Sequence, residues 1–184
     1  YEKLDSAISL ASRAHEYYLK QGYILLETEY YFTIGVIHEF QNPKKAYENY
    51  KQALLLSERR NNQPCAARAH EYIGFMNYFG LSHHTSVTHL KESFSIYKKI
   101  GDLPHVRRLG AHLGRLKNKI IPSERLYYYF ECLNASRILN KINEEYMVYE
   151  NIANIYAEEI KPVDYSKTIS YLDSAISICM SNNK

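Results

Sequence analysis

Eight histidines and three cysteines are the side chains in this 184-residue chain best suited to hold a metal or to act as base or nucleophile. The closest cluster is His83, His84 and His89. Adjacent histidines do not easily face one ion, and no cysteine or paired carboxylate lies near them in sequence, so this stretch reads as a polar turn. His15-Glu16, His38-Glu39 and His70-Glu71 each lack the second histidine four residues on that a zinc-binding helix requires. Cys65, Cys132 and Cys179 are scattered and have no evident histidine partner, which makes them small apolar fillers rather than nucleophiles or a disulfide framework. The seven glycines are dispersed, with no phosphate-cradling loop and no Gly-x-Ser-x-Gly elbow. The sequence therefore predicts no catalytic residues, no metal site and no cofactor, and argues against an enzyme. What remains is a basic strip, Arg107, Arg108, Arg115 and Lys119, whose guanidinium forks suit carboxylate or phosphate.

Positioning such residues falls to helices. Apolar side chains at helical spacing mark stretches 2–20, 24–40, 44–60, 65–79, 85–99, 104–118, 122–141, 144–159 and 165–180. All five prolines fall at the proposed boundaries and none inside a helix. The run Tyr127-Tyr128-Tyr129-Phe130 has strand propensity but sits inside a longer helical period. The expectation is an all-α chain of about nine antiparallel helices with short turns.

The helices alternate in kind. Ile34-Gly35, Ile73-Gly74, Leu113-Gly114 and Ile152-Ala153 place an aliphatic-small pair at near-constant intervals. Glycine inside a helix costs about 1 kcal/mol against alanine, so close packing of a neighbouring helix must offset it. The other helices carry Ala14, Ala53, Ser93, Ala135 and Ala175 at a similar period, a second marker of a repeat. Leu4-Asp5-Ser6-Ala7-Ile8-Ser9 recurs as residues 172–177 and would put Ala7 in place of Ala14, leaving the first helix open in register.

At this point the chain resembles the tetratricopeptide repeat, in its long-repeat form. Ala46, Tyr50 and Ala53 match the family's second helix, as do Ser86, Leu90 and Ser93, and Thr168, Leu172 and Ala175; Tyr156 after Ala153 fits its first helix. His38, Asn77 and Lys117 depart from the aromatic expected there, and the period exceeds the family's usual 34 residues. The resemblance implies an α-α superhelix: a trailing half-repeat at 1–22, then repeats at 23–62, 63–102, 103–143 and 144–184, all in one domain. It also implies a concave binding face built from the first helices. Transferring the family's spacing puts Phe32, Val36, Phe40, Arg68, Phe75, Tyr78, Phe79, Arg108, Arg115, Lys119 and Asn154 on that face, aromatic in its first half and basic in its third repeat. The implied ligand is a protein or peptide segment, acidic or carboxylate-ended, with apolar anchors. Val36 stands where a chaperone-tail clamp needs asparagine, which argues against that ligand. The implied role is the interaction or sensor module of a signalling protein; the alternative is a bacterial regulator whose repeats bind a short peptide and gate a DNA-binding or kinase domain.

Composition narrows the partners. Twenty-three basic and twenty acidic residues are too balanced to argue for nucleic acid or an anionic membrane. No apolar run is long enough to span a bilayer. The sparse cysteines allow a reducing compartment without requiring one. The chain opens on Tyr1 already in a helical pattern, which reads as a piece of a longer protein. Both terminal helices are then expected to expose apolar faces, open to self-association.

Overall fold

The computed structural model describes residues 2–23, 26–76 and 83–182. The described residues are helical, with no strand among them. Their helices are α1 (Glu2–Lys20), α2 (Leu26–His38), α3 (Pro43–Arg59), α4 (Gln63–Phe75), α5 (His83–Ile100), α6 (Leu103–Gly114), α7 (Pro122–Ile138), α8 (Tyr146–Asn154) and α9 (Tyr165–Asn182). A 3-10 turn, Ile142–Glu144, precedes α8, and a π-helical turn, Ile155–Glu159, extends it. The strand-prone run 127–130 lies within α7.

Helix ends are written in the sequence. Asn42, Asn62 and Asp102 cap α3, α4 and α6, each side-chain oxygen accepting from the backbone N–H three residues on. Each cap is followed within two residues by proline, which lacks the N–H that a first turn leaves unused. The opposite ends share one device as well. Gly22, Asn61, Gly101 and Asn140 adopt positive φ just after α1, α3, α5 and α7. The next residue's N–H reaches back five residues in every case: Tyr23 to Tyr18, Asn62 to Ser57, Asp102 to Tyr97 and Lys141 to Ser136. This is a glycine- or asparagine-closed helix stop, recurring with the period of the aliphatic-small pairs.

The chain divides into two compact units, Tyr1–Ile96 and Tyr97–Lys184. In the first, α1 packs on α2, α2 on α3 and α3 on α4; α5 joins α4 through Leu90, Ser86 and Ser93. In the second, α6 pairs with α7 and α8 with α9.

Each glycine of an aliphatic-small pair receives one large side chain of the following helix. A Cβ on Gly35 would collide with the Tyr50 ring; one on Gly74 would lie 2.6 Å from Leu90 Cγ; one on Gly114 would lie 2.5 Å from Tyr129 Cε1. Tyr50, Leu90 and Tyr129 are all buried. The glycine carbonyls are used too. Ser86 Oγ donates to Gly74 O at 2.6 Å, and Arg125 Nε donates to Gly114 O at 2.7 Å.

The structure alters several expected positions. Ala7 is exposed and Ala14 partly buried, so Ala14 sets the register of α1 and the repeated hexapeptide is not structurally equivalent in α1 and α9. In α7, Cys132 stands three residues after the inserted tyrosine, as Ala53 does in α3; Ala135 is buried one turn further on. In α9, Leu172 points outward at 38% exposure, and Tyr171 and Ala175 face the core instead. α2 stops at His38 and α6 at Gly114, short of 40 and 118. For α6 the reason is visible: the Gly114 carbonyl is taken by Arg125 and the Arg115 N–H turns back to His112 and Leu113.

Gly74→Leu is expected to destabilise the protein by about 2 kcal/mol, because overpacking costs more than the regained helix propensity returns. Val36→Leu, at an exposed position of α2, should stay within about 0.5 kcal/mol. Urea unfolding followed by circular dichroism compares the two; an unaltered midpoint for Gly74→Leu contradicts the packing argument.

Candidate functional site

A concave site with converging charged side chains lies in the second unit. A cleft of about 460 Å³ is lined by Pro104, His105, Arg107, Arg108, Ala111, Arg115, Leu139, Lys141 and Glu145. α6 supplies its basic wall and the turn between α7 and α8 supplies the other.

Glu145 anchors that second wall. It is 4% exposed, at the N-cap of α8. Its carboxylate accepts from Arg107 Nε at 2.6 Å, from Ser136 Oγ at 2.7 Å and from the Cys132 thiol at 3.6 Å. Arg107 also reaches Glu144 at 2.5 Å, and Lys141 lies 3.5 Å from the same residue. A buried polar group left without such partners is costly. Burial and the neighbouring Glu145 push the Cys132 thiol up to about 12, which holds it protonated and unreactive.

Arg107 and Lys141 are thus balanced within the wall. Arg108 and Arg115 add two further guanidinium groups to the lining. Arg115 sits at the C-cap of α6, exposed, with Nε donating to Ala111 O at 3.0 Å. His112 reports the field they make: burial lowers its pKa, and Arg115, Arg108 and Lys119 lower it further. Three residues of the sequence-predicted basic strip therefore gather around one imidazole.

The other sequence-predicted positions are distributed differently. Asn154 is exposed at the end of α8 and does not line the cleft. Lys119 lies in the turn after α6 rather than on the helix. In the first unit, Val36 is 46% exposed on α2, Phe40 is exposed in the turn after it, and Phe75 is partly buried as the last residue of α4. Phe32 corrects the expectation of an open aromatic face. It is buried beneath Arg68, whose guanidinium lies 3.8 Å from the ring centroid while pairing with Glu29. Packing against Tyr72 completes its burial. Tyr78 and Phe79 lie outside the described residues.

Sequence reasoning missed Glu145, His105 and Lys141 as lining residues. A signal existed for Glu145: Arg107 precedes it by 38 residues, as Glu29 precedes Arg68 by 39. Charges one repeat apart on neighbouring helices are placed to pair.

The histidines form no metal group of three or more ligands among the described residues. The side chains of His83 and His84 lie outside them. His89 instead meets His70 across α4 and α5, with Nδ1 atoms 2.7 Å apart. One ring donates and the other accepts, so the accepting ring must be neutral and the two cannot both be protonated. No described helix is long and apolar enough to cross a membrane.

No protein-family model matches this chain, and comparison with curated proteins finds no significant relative.

Burial lowers the pKa of His70 and of His89, whose neighbours include Glu92 and Lys51. A histidine whose folded pKa lies below the unfolded value binds protons preferentially when unfolded, so stability holds above about pH 6.5 and falls as pH drops below it. Denaturation midpoints are expected to be lower at pH 5.5 than at pH 7.5, with a smaller difference in His70→Gln/His89→Gln. An unchanged pH dependence in that variant contradicts the lowered pKa of the two histidines.

Proposed function

We propose that this chain is a helical-repeat interaction module of tetratricopeptide type and that the cleft between α6 and the α7–α8 turn binds an acidic, carboxylate-bearing peptide segment. The observation that carries this reading is the gathering of Arg108, Arg115 and Lys119 about His112 beside a cleft lined by four cationic side chains and one carboxylate. Guanidinium groups at a helix end bind carboxylates bidentately. The apolar floor of Pro104, Ala111 and Leu139 gives short aliphatic side chains a place to lie. Tetratricopeptide type rests on the small-large notches and the recurring helix stops. A binding role is supported by the Cys132 thiol beside the cleft, which is held protonated.

The test uses two fluorescein-labelled ten-residue peptides with free carboxyl ends, one alternating Glu and Leu, the other Lys and Leu. Fluorescence anisotropy is expected to show binding of the Glu peptide alone, weakened at least tenfold by Arg108→Glu/Arg115→Glu with helicity unchanged. Binding should also raise the His112 titration midpoint in NMR, since a bound carboxylate offsets the cations that depress it. Equal affinity for both peptides, or no effect of the double substitution, overturns the reading.

A further inference from the structure

α9 carries an apolar stripe that nothing in the described chain covers. Tyr165 is 72% exposed, Ile169 59%, Leu172 38%, Ile176 55% and Met180 67%. The inward face of the same helix is different, carrying Tyr171, Ala175 and Ile178 against α8. The outward residues follow spacings of four, three, four and four, and exposed Cys179 falls three after Ile176. That spacing matches the a and d positions of a paired helix, with β-branched Ile169 and Ile176 alternating with Tyr165, Leu172 and Cys179.

We infer that α9 is a homodimerisation helix, pairing in parallel with α9 of a second copy along Tyr165, Ile169, Leu172 and Ile176. Three observations select this occupant. First, isoleucine and leucine at alternating seam positions favour parallel two-stranded pairing. Second, the charge pattern selects the orientation. Asp173 flanks the seam at its middle. An antiparallel pair would bring the two Asp173 carboxylates together across the dyad, whereas a parallel pair sets each near Thr168 of the other copy. Third, the stripe is large enough. Its five side chains expose on the order of 500 Å² per copy, so two copies cover about 1,000 Å², the lower bound for a specific interface. A two-fold pair is closed and isologous, so it stops at a dimer.

The geometry fixes a chemical readout. In a parallel pair the two Cys179 side chains face each other across the seam, while Cys132 is buried and Cys65 lies on α4. The experiment is sedimentation equilibrium of the whole chain from 5 to 200 μM under reducing conditions, followed by crosslinking with a short bismaleimide. The expected result is a concentration-dependent shift to twice the monomer mass and a covalent dimer that Cys179→Ser abolishes. Ile169→Glu/Ile176→Glu should remain monomeric at 200 μM with unchanged helicity, because both side chains are already exposed. A wild-type monomer at 200 μM overturns the inference. So does a dimer that fails to crosslink through Cys179, or one that persists in the double variant. Association lost equally with Leu10→Glu/Tyr17→Glu, on the exposed side of α1, would indicate head-to-tail contact and also overturn it.

Discussion

A large side chain seated on a glycine is the contact on which this structure depends. Gly35, Gly74 and Gly114 leave room on three first helices, and Tyr50, Leu90 and Tyr129 fill it from the next. The glycines cost helix propensity of about 1 kcal/mol each. Fully burying a large apolar side chain contributes about 1.5–3 kcal/mol in return, so the exchange favours the notch. Tyr50 shows how far one such residue reaches. Its ring meets Gly35, stacks on Tyr72 at 4.7 Å, and its hydroxyl donates to Glu39 at 2.6 Å. A single side chain thereby ties α3 to α2 and α4.

The same contact decides where α6 ends, and with it the geometry of the basic cleft. Once Tyr129 seats on Gly114, Arg125 of the same helix lies within reach of the Gly114 carbonyl. Its charge is balanced by Glu159 at 2.5 Å, on the π-helical turn after α8. Arg125 is 4% exposed, so removing either partner would leave a buried unpaired charge. With its last carbonyl occupied, α6 stops, and Arg115 becomes a cap residue beside the cleft instead of a mid-helix one.

Much of this was legible in the sequence. Proline and asparagine fixed the helix starts, because a capping side chain followed by proline has few other uses. The aliphatic-small pairs marked the notches because a helix-interior glycine needs a packing reason. The misplacements share a cause: they sit where a tertiary partner chose between two positions of similar chemistry. Cys132 took the place assigned to Ala135 because both are small. Leu172 turned outward while Tyr171 and Ala175 turned in, since a helix rich in apolar residues on several faces does not declare which one is buried. Phe32 was assigned to an open face because the pattern could not show that Arg68, 36 residues later, would cover it. The basic strip is visible in the sequence as a run of charges, but the wall opposite it depends on Glu145, whose role only tertiary contact reveals.

The most direct measure of the central contact is a double-mutant cycle between Gly35→Ala and Tyr50→Leu, read by urea unfolding. If the ring occupies the space a side chain at position 35 would need, the alanine should cost at least about 1 kcal/mol less in the Tyr50→Leu background than in the wild type. Effects that add within about 0.3 kcal/mol would mean that glycine and tyrosine act independently, contradicting the notch as the organising contact.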